Sequence, residues 1–288
     1  MIKVFFHLVL DIGYTLGMDG FVFAAGVDER IEGTHPIYDF YAKYNNIPLK
    51  KMMRLAKEVG VTNVVVLGSY FSYFDREWKE LDLYNHHPYI RSRVDQANMA
   101  LSFADEKMSV SVLELPYIFG TQSGRKPVWT FLVEQIQQMK HITFYPKGGT
   151  TMVTVKQVAQ SIVGALENGT NGQNYPVGYY NLTWKQMLTI FHRNMGQPHK
   201  KILTIPKFLY KMVMKSKVKQ FKKQGIEHGL DLLELTHIMT RNAFIDKKYI
   251  IDAFAVEPDD IELAIGQSVK LSMDVIQKKI KTIDMKGE

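Results

Sequence analysis

The sequence predicts an α/β protein with a doubly wound parallel sheet and a smaller, mainly helical region towards its C-terminal end. Short runs rich in β-branched and aromatic residues, FVFAAG at 21–26, VVVLG at 64–68 and VSVLEL at 110–115, stop at glycine or just before proline. They lack the polar alternation of a half-exposed strand, so each reads as a strand buried on both faces. Between them lie stretches with apolar residues three and four positions apart. Strands of this kind alternating with helices build a parallel sheet.

In order, residues 2–11 read as a first strand, whose His7 and Asp11 break the apolar run and argue against a signal peptide. Asp19-Gly20 marks a turn before the strand at 21–26. Over 36–60, Tyr41, Tyr44, Ile47, Met52, Met53, Leu55, Ala56 and Val59 follow helical spacing and Gly60 supplies the stop. Pro48 predicts a break inside this span, with the firmer helix starting there. The next strand delivers Ser69 just past its end. Pro88 suits the first turn of a following helix, and Pro116 ends the strand at 110–115. Residues 129–139 look helical, and 151–167 read as an amphipathic helix with Val153, Val155, Val158, Ile162, Val163 and Leu166 inward. A short strand at 173–178 precedes Thr183-Trp184-Lys185-Gln186, a capping-box pattern that opens a helix to about Met195. After Gly196 helical patterns dominate, which places a domain boundary near residue 180 and divides the chain into 1–180 and 181–288.

Composition narrows the chemistry. With 288 residues, 46% of them hydrophobic, the chain can bury a large core. The absence of cysteine excludes disulfides, thiolate metal sites and a cysteine nucleophile, and fits a reducing cytoplasm, the expected location. Nine histidines fall at no metal-ligand spacing, so no metal is expected. No apolar segment reaches the roughly 18 residues needed to span a bilayer, so no integral membrane contact is expected. Much of the net charge of +7 comes from nine lysines within 200–223, a tract without arginine and with sparse aromatics. It reads as a solvated helix rather than a nucleic-acid surface, with contact to an anionic membrane surface as the alternative.

Ser69 sits beyond the carboxyl end of a central strand, the edge where open α/β sheets bind ligands. Tyr89 and Arg93 are four apart and share a helix face. A cation beside a phenol stabilises the phenolate, and a serine hydroxyl can hold a substrate oxygen, which together suit proton transfer at a carbon bearing a hydroxyl or carbonyl. By spacing alone, such a pair is more often a half-buried phenol and a solvated cation.

FAAG, GSYFSYF, PYIRSR and LPYIFG occur in that order, and over residues 21–195 the arrangement resembles the extended short-chain dehydrogenase/reductase family, which includes NAD-dependent sugar epimerases and dehydratases. The resemblance implies a Rossmann-like sheet with Ala24, Ala25 and Gly26 beside the cofactor and Pro116, Tyr117 and Ile118 along its nicotinamide end. It places Asn46 at a familiar asparagine position, Ser69 at the active-site serine and Tyr89 at the catalytic tyrosine of Tyr-x-x-x-Lys. It further implies NAD or NADP, with NAD as the default, a small hydroxylated or nucleotide-linked substrate, and a homodimer through the Tyr89 helix and its neighbour.

Two features depart from the family. Arg93 replaces the lysine; it keeps the charge but is planar and never releases its proton, so reduced activity is expected. No Gly-x-x-Gly-x-x-Gly turn occurs in residues 1–26, and Gly13, Gly17 and Gly20 read as a loop. The sheet is therefore expected to be incomplete at its N-terminal side, as in a chain shortened relative to longer relatives. The alternative reading is a non-catalytic relative that senses a dinucleotide or holds a protein partner.

Overall fold

The computed structural model describes residues 17–283; the strand expected at 2–11, and Gly13, lie outside them. The chain runs β1 (Gly20–Phe23), β2 (Glu32–Thr34), α1 (Tyr38–Tyr41), a π-helical turn (Ala42–Asn46), α2 (Ile47–Glu58), β3 (Asn63–Ser69), α3 (Tyr70–Glu77), α4 (Leu83–His86), α5 (Pro88–Leu101), β4 (Ser109–Leu115) and β5 (Tyr117–Phe119). It continues with α6 (Thr130–Gln138), β6 (Ile142–Pro146), β7 (Gly149–Thr154), α7 (Val155–Asn168), β8 (Gln173–Pro176), β9 (Tyr180–Thr183) and α8 (Trp184–Asn194). The last part holds β10 (Lys201–Ile205), α9 (Lys207–Gln224), β11 (Ile226–His228), α10 (Leu235–Met239), β12 (Asn242–Ala243), α11 (Lys248–Phe254) and α12 (Ile261–Ile276).

The central sheet has the order β1-β3-β4-β8, and every pairing in it is parallel. This is the Rossmann-like arrangement expected from the buried runs. In β3, Val64 and Val66 pack with α2 and α5 on one face, while Val65 packs on the other with Val158 of α7 and Phe254 of α11. All three valines are buried, so each contributes roughly 1.5–3 kcal/mol of transfer free energy. Two apolar faces per strand force helices onto both sides of the sheet. The edge of β1 away from β3 has no partner strand among the described residues.

A second sheet, β12-β7-β5 with β9 antiparallel on β7, lies beyond the carboxyl end of β4. The expected helix at 151–167 divides here: Gly149–Thr154 is the fully buried strand β7, and only from Val155 is the chain helical. The β-branched run TTMVT satisfies a central strand, and Thr154 then caps α7 by accepting from Gln157 N–H in a reciprocal capping box. Val155 and Val163 are 48% and 42% exposed rather than inward, because α7 turns the face of Gln157, Val158, Ser161, Gly164 and Ala165 to the sheet and α11. At 181–288 the strands pair back across residue 180, β9 and β12 with β7, β10 with β6 and β11 with β2. Trp184, Phe191 and Ile265 join Phe119 and Trp129 in one core, so the helical tail is fastened to the strand that leaves the central sheet.

Pro88 is at the start of α5, and the preceding His87 is fully buried. Its Nδ1 accepts the Asp231 N–H at 3.0 Å, while Nε2 has no partner among the described residues. Burial pushes the imidazole pKa down to about 4. Between pH 6.5 and 4 the unfolded chain takes up a proton that the folded one refuses. Stability from this group is therefore complete above pH 6.5 and lost as pH falls towards 4, by about 3 kcal/mol in all. Denaturant unfolding at pH 7 and pH 4.5 should show a smaller pH-dependent loss in His87→Gln than in the parent; an equal loss would assign the acid sensitivity elsewhere.

Candidate active site

The carboxyl ends of β1, β3 and β4 open into one cleft of about 450 Å³. Strand β1 feeds Ala24, Ala25 and Gly26 into its wall, β3 delivers Ser69, the segment after β4 supplies Pro116, Tyr117 and Ile118, and α5 contributes Tyr89 and Arg93. Nine of the ten residues singled out from sequence thus meet in one place; Asn46 does not line the cleft.

Ser69 is the N-cap of α3 and accepts the Phe71 N–H on its Oγ at 3.4 Å. Ser72 Oγ donates to Ser69 O at 2.6 Å, fixing the strand-to-helix turn. The Tyr89 ring stands edge-on to Tyr41 and Phe71, with centroids 5.5 and 6.2 Å away, and its backbone N–H donates to Gly229 O at 2.8 Å. Burial pushes the phenol up to about 12; Arg93 and a hydrogen bond with Ser69 pull it down, and Glu29 and Asp28 push it up. Arg93 is buried, its Nη2 donates to Leu67 O at 2.7 Å, and its guanidinium carbon lies 6.0 Å from the Tyr89 centroid. Its Nε has no partner among the described residues.

Asn45 is the asparagine that binds the site together. Fully buried, it accepts the Val27 N–H at 2.8 Å and donates to Ser92 Oγ at 3.3 Å, and Ser92 Oγ donates to Tyr89 O at 2.8 Å. Gln96 Nε2 donates to Asn45 O at 2.9 Å, so the π-helical turn, the loop after β1 and α5 form one network. Asn46 is half-buried, and its Oδ1 has no partner among the described residues. The π turn hydrogen-bonds Ile47 N–H to Ala42 O, one residue further back than an α-helix would, and shifts the face that each asparagine presents. The Pro48 break was legible in the sequence, but its π geometry was not. Glu29 also escaped the sequence reading. It lines the cleft, and burial, then Asp28, hold its carboxyl above the usual range against Arg30 and Arg93. Its charge raises Tyr41, Tyr70, Tyr89 and Tyr117, which places the carboxyl among four phenols.

The described residues fit the nicotinamide end of a dinucleotide. Gly26 has φ +151°, and a Cβ there would meet Asn45 Oδ1 at 2.8 Å, so glycine lets the loop after β1 run close against the Asn45 side chain at the cleft wall. Arg93 brings guanidinium donors to the same wall. Trp129 Nε1 donates to Ile118 O at 2.8 Å, and Ser268 Oγ exchanges hydrogen bonds with Gly120 at 2.9 and 3.0 Å, so the opposite wall is held rigidly. No group of three or more acidic or histidine side chains among the described residues could hold a metal, and no helix is long and apolar enough to cross a membrane.

No protein-family model and no curated protein matches the sequence. Solved structures do match. A protein designated gox2253 superposes with TM-score 0.70 at 15% identity, over 94% of this chain and 82% of that one. The chain shares their fold. UDP-glucuronic acid 4-epimerase from Bacillus cereus, in complex with NAD, gives TM-score 0.61 at 11% identity, over 95% of this chain and 79% of that one. RMD from Pseudomonas aeruginosa, complexed with NADPH, gives 0.59 at 13% identity, over 91% and 82%.

Proposed function

We propose that the chain is an extended short-chain dehydrogenase/reductase acting as an NAD(P)-dependent oxidoreductase of the epimerase/dehydratase type on a nucleoside-diphosphate sugar or similar hydroxylated substrate. The observation that carries this reading is the convergence of Ser69, Tyr89 and Arg93 between the loop after β1 and the segment after β4. The likeness to an NAD-bound sugar-nucleotide epimerase and to an NADPH-bound protein supports the choice of cofactor and substrate class. Cytoplasmic location and pairing of two copies through α5 belong to the same proposal.

Ala24, Ala25, Gly26, Pro116, Tyr117 and Ile118 would enclose the nicotinamide end, and Arg93 would hold its ribose in place of a lysine. The nicotinamide, when bound, accepts or donates hydride. Ser69 orients the substrate oxygen, and Tyr89 exchanges the proton on it. With its pKa at about 12, Tyr89 carries its proton throughout the neutral range and acts first as an acid towards a carbonyl oxygen. Abstraction from an alcohol becomes efficient only at alkaline pH. The elevated phenol and the arginine at position 93 also favour a second reading, a non-catalytic relative that binds the dinucleotide as a signal. Fluorescence titration with NADH and with NADPH tests the common premise. Saturable binding of at least one is expected, and binding of neither overturns both readings.

A further inference from the structure

Helix α9 has no buried residue over its 18 positions, yet it carries two apolar lines. Tyr210, Met214, Val218 and Phe221 recur at helical spacing and are half-buried, and α9 packs on β11 and α10. Around the helix from them, Phe208 and Met212 are 67% and 60% exposed, with Leu209 and Val213 exposed beside them. Continuing at three- and four-residue steps, the same outer line becomes Lys215, Lys219 and Lys223, all exposed. A helix lying on a protein needs one apolar face; here the second emerges into solvent. Just upstream, the cross-strand pair Phe144 and Leu203 is also exposed.

Charge selects the occupant. Helix α9 holds seven lysines and no aspartate or glutamate, and among the described residues none of the seven forms an ion pair. Lysine is depleted from protein interfaces, whereas exposed large apolar side chains flanked by lysines are the composition of helices that lie in a membrane interface. A nucleic acid would call for arginine and stacked aromatics on the outer line, which has neither beyond Phe208.

We propose that α9 docks the protein peripherally on an anionic phospholipid bilayer, Phe208 and Met212 entering the headgroup boundary and Lys215, Lys219 and Lys223 resting on the phosphates. The test is co-sedimentation of the full chain with vesicles of phosphatidylcholine alone and of phosphatidylcholine with phosphatidylserine. Binding is expected to the serine-containing vesicles only, and to weaken as salt is raised. The triple change Lys215→Gln, Lys219→Gln, Lys223→Gln should weaken partitioning roughly a hundredfold, at about fivefold per lysine. Phe208→Ser with Met212→Ser should also release the protein while circular dichroism stays unchanged, since both side chains are in solvent. Equal binding to neutral vesicles, or unchanged binding by either variant, overturns the proposal. So does a concentration-dependent dimer abolished by the serine pair without any vesicle binding, which would assign the face to a second copy.

Discussion

Tyr89→Phe is expected to lower turnover of any nucleoside-diphosphate sugar the parent accepts on the order of 10²–10⁴-fold, with NADH or NADPH titration unchanged. Phenylalanine keeps the ring against Tyr41 and Phe71 and keeps the backbone bond to Gly229 O, so only the hydroxyl that faces Ser69 is lost. Ser69→Ala should cost less, since it orients the substrate oxygen without carrying the proton. Glu29→Gln is the informative partner. The carboxylate is one of the groups that push the Tyr89 phenol up to about 12, so its neutralisation should move the alkaline limb of the pH–rate profile to lower pH. Undiminished turnover in Tyr89→Phe would remove the phenol from the chemistry, whereas cofactor binding with no turnover in the parent would favour the non-catalytic reading.

Arg76→Met should destabilise the fold by about 3 kcal/mol, measured as a drop in the denaturant midpoint at pH 7. Glu114 on β4 is fully buried, and both its oxygens accept from Arg76, Nη1 to Oε1 at 2.8 Å and Nη2 to Oε2 at 2.7 Å. Arg76 Nη1 also donates to Ser72 O at 3.0 Å, so the guanidinium ties α3 to β4 immediately behind Ser69. Removing it strands a carboxylate inside the protein. The figure sits at the low end of the range for broken buried pairs because the Arg76 side chain is 44% exposed and water reaches the site. Burial already raises the Glu114 pKa against the pull of Arg76, and without the arginine the carboxyl would take up a proton more readily. The penalty should shrink on acidification, and in the double variant Arg76→Met, Glu114→Gln. A loss that is the same at pH 5 and pH 7 and persists in the double variant would place the effect in packing rather than in the stranded charge.

The strands of the central sheet could be read from residues 21–26, 64–68 and 110–115 because a parallel strand buried on both faces shows its environment as an uninterrupted apolar run. The helix starts at Pro88 and Thr183 were legible for a similar reason, since a helix start is set by residues within three positions of one another. Where two structures satisfy the same local pattern, the reading failed. TTMVTV satisfies an amphipathic helix as well as a strand, and what made it β7 is its pairing with β5, β9 and β12, none of which is nearby in the chain.

By itself the sequence determined the alternation of strand and helix and the arrival of Ser69 at a strand end, with Tyr89 and Arg93 one helical turn apart. The tertiary structure decided that these side chains meet across one cleft, that Asn45 rather than Asn46 joins its walls, and that Glu29 stands among its phenols. The physical reason is range: periodicity and capping are fixed within about a turn of chain, whereas a cleft is made by residues that only the packing of the sheet and helices brings together.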